Sequence, residues 1–232
     1  MKITYCSAML ACMLVSFVVT DRAAGGEYNP SREGTTRELS TVIRQGSATR
    51  ERVEEFTFGP KVNLNGVEAT TLIVRRKNPG EPSRQLKAFY IENGQGVKEI
   101  ARQGPGDENP KTLDYDEWTL KYPLAVGATW TCTDQIYSLK ERIIVPFVCE
   151  IQTMSDIVTV PAGTFERCME VKKSFSGEVN SGAYGGNPKV TVESHSWYAP
   201  GVGLIKGDYT VKCSDPQLGG VESHSEMISY SY

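Results

Sequence analysis

Ser196-Trp197-Tyr198-Ala199-Pro200-Gly201-Val202-Gly203-Leu204-Ile205-Lys206 reads as a strand, a turn and a second strand. Trp and Tyr suit a pleated, half-buried surface, Pro200 fixes its own φ, and Gly201 and Gly203 can take backbone conformations closed to other residues. A hairpin is expected. The same order of residue types stands earlier in Phe89-Tyr90-Ile91-Glu92-Asn93-Gly94-Gln95-Gly96-Val97-Lys98. The repetition suggests internal duplication, with pseudo-halves at about 38–104 and 127–231.

Outward from these turns, short alternating segments fill the chain. Leu86, Ala88 and Tyr90 alternate before the first turn, and Val67, Ala69, Thr71 and Ile73 share one face of another expected strand. Thr35-x-x-Glu38 could cap a short helix, but the β-branched run Thr41-Val42-Ile43 and the Gly46-Ser47 pair favour a hairpin. Gly104 to Pro110, with Asp114, Asp116 and Glu117, reads as an acidic, solvated connector. Ser176 to Pro188 is rich in glycine and reads as the longest loop. Eleven or twelve strands, without a long helix or a βαβ rhythm, give an all-β antiparallel meander. A meander of this length must curl into a barrel, a half-barrel or a two-sheet sandwich.

The chain has 232 residues, 39% hydrophobic and 23% charged, enough for one full core. Its formal charge is −3, and no basic run is interleaved with aromatics, which argues against a nucleic-acid partner. Lys2, the apolar run Ile3 to Val19 and the small residues Ala23-Ala24-Gly25 have the layout of a secretory signal peptide. Residues 1–25 are therefore expected to be removed, leaving 26–232 as a single β-rich domain with no membrane-spanning segment, secreted or periplasmic. Four cysteines follow the leader: Cys132, Cys149, Cys168 and Cys213. An even number in an exported chain suggests disulfides, and no Cys-x-x-Cys spacing points to zinc or redox chemistry. If the hairpin after Trp130 turns between Lys140 and Glu141, Trp130 opposes Ile151, Cys132 opposes Cys149 and Ile136 opposes Val145. A Cys132 to Cys149 bond is then expected, with Cys168 to Cys213 as the remainder.

Three motifs, Tyr122-Pro123-Leu124 with Gly127 and Trp130, Val160-Pro161-Ala162-Gly163-Thr164-Phe165, and Trp197-Tyr198-Ala199-Pro200-Gly201-Val202-Gly203-Leu204, resemble a family of exported bacterial proteins of unknown function related to the TapB family. The resemblance covers mainly residues 122 to 231. It implies an exported, β-rich envelope protein and carries no catalytic residues.

The candidate binding residues are the aromatic pairs Trp197 with Tyr198 and Phe89 with Tyr90, since Trp and Tyr offer apolar bodies with polar handles. Against this, such aromatics can simply pack over their turns. Both histidines sit in the pentapeptide Val-Glu-Ser-His-Ser, where period two puts Glu193 with His195, and Glu222 with His224 and Glu226. Separated by an intervening strand, the two clusters would stand about 10 Å apart, too far to ligate one ion without curvature. No nucleophile elbow or phosphate-binding loop is present. The expected role is a non-catalytic envelope domain, without cofactor or metal, that binds a protein partner. The alternative is a carrier of an apolar small molecule or lipid, and a third reading is a metal-dependent enzyme built on the Glu/His clusters. Intact-mass measurement of exported material should give a start at or within a few residues of Gly26; retention of Met1 in a soluble exported product would contradict the leader.

Overall fold

The computed structural model describes residues 27–136, 143–180, 186–215 and 220–232. The expected signal peptide lies outside the described residues. Twelve strands follow one another: β1 (Thr36–Gln45), β2 (Ala48–Leu64), β3 (Val67–Lys77), β4 (Arg84–Asn93), β5 (Gly96–Gln103), β6 (Lys111–Lys121), β7 (Thr129–Ile136), β8 (Ile143–Val160), β9 (Gly163–Glu178), β10 (Lys189–Ala199), β11 (Gly203–Cys213) and β12 (Val221–Ser231). They form one antiparallel sheet in the order β6-β5-β4-β3-β2-β1-β12-β11-β10-β9-β8-β7.

That order puts β6 and β7, consecutive in the chain, at opposite edges. Laid flat, twelve strands would span about 50 Å at the usual strand spacing. Residues 122–128, the whole connection between those edges, reach at most about 25 Å. The sheet must therefore curl until its edges meet. β6 and β7 lie side by side without a ladder, bridged by the Trp130 indole, whose Nε1–H points to the Trp118 carbonyl at 3.5 Å. The result is a nearly closed barrel with one unsealed seam.

Strand alternation decides what the barrel encloses. Arg37, Leu39 and Thr41 share the inner face of β1, and their partners on β2 are Phe56, Glu54 and Arg52. The inner face of β3 carries Leu72 and Val74, opposite Ala88 and Leu86 of β4. Trp130, Cys132 and Ile136 of β7 join Phe147, Cys149 and Ile151 of β8 and Val190, Val192 and Val211 in the largest core cluster. One end of the barrel is covered. There the β8–β9 turn docks on β12 through Ala162 N–H to the Met227 carbonyl, the Glu27 carbonyl accepts from Gly201 N–H, and the Tyr28 hydroxyl donates to the Arg167 carbonyl.

Several expectations change in the structure. The hairpin reading of Thr36 to Leu64 holds, with Gly46 at positive φ in its turn. On β3 the face bearing Ala69 and Thr71 points outward, packing Ala69 against Phe89 and Ala101, while Leu72 and Val74 face the interior. Gly104 to Pro110 form a loop as expected, but Asp114, Asp116 and Glu117 lie on a strand, because Thr112, Tyr115 and Trp118 supply enough β-forming residues for β6 to pair with β5. The glycine-rich loop is shorter than expected: β9 continues to Glu178, Val179 N–H donates to the Pro188 carbonyl, and 181–185 lie outside the described residues. Finally, the β7–β8 register is displaced by two residues, pairing Trp130 with Cys149, Cys132 with Phe147 and Ile136 with Ile143. A slip of two preserves the inward face, so side-chain parity alone could not exclude it.

The cysteine pairing fails with that register. Cys132 and Cys149 become diagonal neighbours, with Sγ atoms 3.4 Å apart and no bond. Cys168 belongs to the cluster around Ala199, Val202 and Met227, whereas Cys213 pairs with Val190 at the far end of β11. All four thiols are free in the structure.

Gly96 opens β5 at φ +143°, and a Cβ there would stand 2.2 Å from the Leu120 carbonyl oxygen. Gly94, in the same turn, has open space around it. Gly96→Ala should lower stability by about 2 kcal/mol or more, while Gly94→Ala should stay within about 0.5 kcal/mol. Urea denaturation of the two variants checks this, and equal midpoints would contradict it.

Candidate functional site

Within the barrel, below the β10–β11 turn, lies a cavity of about 130 Å³. Its apolar wall is Leu39, Phe56, Phe58, Leu72 and Leu204; its polar atoms come from Asn29, Arg37, Tyr90, Thr119 and Tyr198. The elements that meet here, β1 to β4 and β6 from one run of the sheet and β10 and β11 from the other, are brought together only by closure of the barrel. An apolar space of this size is comparable with one that accepts a benzene-sized group.

Arg37 is the only formally charged residue of this lining, and it is 6% exposed. Its Nη1 donates to the Val202 carbonyl at 2.8 Å, and its guanidinium carbon stands 5.2 Å from the Phe58 ring centroid. Burial pushes its pKa down to about 10, leaving it charged at neutral pH. The turn is shaped to admit it: Gly203 has φ +90°, and a Cβ there would lie 2.0 Å from Arg37 Nη1. The Gly-x-Gly of the WYAPGVGL motif thus makes room for an arginine more than 160 residues away.

A second space of about 190 Å³ shares Thr119 and Tyr198 with the first and runs toward the seam, past Glu117, Cys149, Lys173, Ser194 and Ser196. Here buried charges are paired. Arg102 Nη2 donates to Glu117 at 2.7 Å and to Glu99 at 3.0 Å, and the Tyr90 hydroxyl donates to Glu99 at 3.0 Å. Lys173 pairs with Asp134 across β7 to β9 and stands over the Phe147 ring at 4.6 Å. Burial alone would lower the Lys173 pKa, but Asp134 outweighs it and the ammonium is held above its ordinary value. The Tyr90 phenol is pushed well up by burial and by Glu99.

Period two divides each aromatic pair singled out in the sequence. Tyr90 and Tyr198 face inward and line the same cavity; Phe89 and Trp197 face outward. Trp197 donates from Nε1 to Asp156 at 3.3 Å, stacks on His195 and lies under the Lys206 ammonium. Both pairs sit beside the same irregularity, a bulge that leaves Ile100 extra on β5 and Ile205 extra on β11. The histidines are on the outer surface in separate ion-pair groups, His195 with Glu170 at 2.6 Å and Glu193 at 3.2 Å, His224 with Asp208 at 2.5 Å and Glu226 at 3.3 Å. Glu222 pairs with Thr210 and Arg44 along the strand ladders and joins neither. Among the described residues no group of three or more His, Cys, Asp or Glu side chains is placed to hold a metal ion.

Sequence reasoning missed Arg37, Glu99, Arg102, Glu117, Asp134 and Lys173. Glu99, Asp134 and Lys173 alternate with buried apolar residues, as Arg37 does with Leu39, but a charged residue on a strand is ordinarily placed in solvent; Arg102 follows the extra Ile100 on β5, which breaks the alternation.

No family model matches the chain, and no curated protein matches it. Among solved structures it is similar to a "putative lipoprotein" from Parabacteroides distasonis ATCC 8503, at 17% identity over 87% of this chain and 96% of that one, with a TM-score of 0.48. It is also similar to a "putative exported protein with YmcC-like fold" from Bacteroides fragilis NCTC 9343, at 12% identity over 87% and 97% of the two chains, with a TM-score of 0.46. Both likenesses concern the fold alone.

The seam region gathers three carboxylates, Glu99, Glu117 and Asp134, about two cations, Arg102 and Lys173. Burial, then Asp134 and Glu99, push the Glu117 carboxyl up to about 8 from an ordinary 4.5, despite Arg102. Between those values the folded protein holds a proton that the unfolded chain has released, so stability declines as pH rises from about 4.5 to about 8. Glu117→Gln removes the titrating group and should flatten that decline in urea melts taken across this range. An unchanged slope would show that another group carries the proton.

Proposed function

We propose that this chain is an exported β-barrel binding protein whose interior holds the apolar part of a small molecule. The observation that carries the reading is the cavity of about 130 Å³ between Leu39, Phe56, Phe58, Leu72 and Leu204, adjoined by the second space of about 190 Å³ that runs toward the seam. Protein interiors are ordinarily packed to crystal density, so an apolar void beside tyrosine and arginine side chains is the arrangement expected of a ligand pocket. Export is supported by the leader-like start at Lys2 to Gly25, and a place in the cell envelope by the resemblance to TapB-related proteins in the second half of the chain.

Native mass spectrometry of the full protein, purified from its own cell envelope, should show a stoichiometric small molecule bound. Leu72→Trp, which fills the cavity from β3, should reduce its occupancy at least about tenfold in protein that melts cooperatively. Recovery of the same molecule at full occupancy from the filled variant would sink the interior site.

A further inference from the structure

We infer that the ligand is an amphipathic anion, a single apolar chain ending in a carboxylate or phosphate, whose acid group pairs with Arg37. The inference rests on the interior-binding reading above and adds the headgroup. Arg37 is buried, it lines the cavity, and among the described residues no carboxylate forms an ion pair with it. Among the described residues its guanidinium donates to the Val202 carbonyl and stands over the Phe58 ring. A guanidinium offers five N–H donors in a planar fork suited to two acceptor oxygens.

The contrast with four half-buried cations of this barrel is informative. Arg102 has two glutamates, Lys173 has Asp134, and Arg52 and Arg76 share Glu54. Desolvation of a lone ion is costly, so charges withdrawn from water are ordinarily paired; these four part-exposed cations have carboxylate partners, whereas Arg37, the most buried of the five, has none among the described residues. At Arg37 the titratable groups that bear on its charge are phenols, those of Tyr198, Tyr90 and Tyr232. Two of these, Tyr90 and Tyr198, line the same cavity. The turn nevertheless gives up a side chain at Gly203 to seat this cation in the lining of an apolar pocket. The lining thus combines a guanidinium and hydroxyls with leucine and phenylalanine side chains, the two chemistries that an acid head and an apolar tail require.

Titration calorimetry of the full wild-type protein, stripped of bound ligand, with octanoate, octyl phosphate, octanol and octylammonium keeps the tail fixed and varies the head. One of the two anions should bind at least about tenfold more tightly than octanol, and octylammonium most weakly. The order of octanoate and octyl phosphate distinguishes the two acid groups. Arg37→Met should bring the preferred anion to the level of octanol, and Arg37→Lys should recover part of the difference. If octanol binds as well as the anions, Arg37 only ties β1 to the β10–β11 turn, and the headgroup inference falls while interior binding stands. If none of the four binds, both fall.

Discussion

Closure of the sheet is the constraint on which the rest depends. Because β6 and β7 lie at opposite edges and are joined by residues 122–128, the sheet has no flat alternative. Curling gives every strand an inside, and twelve strands make that inside wider than apolar side chains alone fill. The half built from β7 to β11 solves this by packing, with Phe147, Ile151, Met169, Val190 and Val192 fully buried. The half built from β1 to β6 solves it with long charged side chains, and where neither solution reaches, between Arg37, Tyr90 and Tyr198, the cavity remains.

The unsealed seam is bridged by side chains rather than by a ladder. Glu117 on β6 and Asp134 on β7 face the same interior, and Asp134 adds to the cost of ionising Glu117. The Trp130 indole bond to the Trp118 carbonyl takes the place of strand pairing there. An exposed edge is a template for association with another chain. Here each edge is covered by the other, so the barrel tolerates an incomplete circuit without presenting a free strand.

Much of the architecture was legible because its signals are local. Val, Thr and Tyr alternation marks the strands, and Gly46, Gly201 and Gly203 mark turns that need positive φ. The β7–β8 register was not legible, since a shift of two leaves Trp130, Cys132 and Ile136 inward in either case, and the lost cysteine pairing follows from that degeneracy. The site was half legible. Tyr90 and Tyr198 stood out through their repeated context, but Phe89 and Trp197 were carried along with them although adjacent strand residues must face opposite ways. Arg37 was hidden for a different reason: its surroundings are assembled from β1, β2 and the β10–β11 turn, and no window of sequence contains them.

Gly203 joins these two levels. Read in the sequence, it is a turn residue; read in the barrel, it is also the space occupied by the guanidinium of Arg37. The two roles are compatible because the conformation at φ +90° that favours glycine also turns its missing Cβ position toward β1. A side chain at this position would both strain the turn and displace the cation from the Val202 carbonyl. The turn that organises the hairpin therefore also fixes where positive charge enters the apolar interior, and the same three residues, Val202, Gly203 and Leu204, supply the arginine's acceptor, its space and part of the cavity wall.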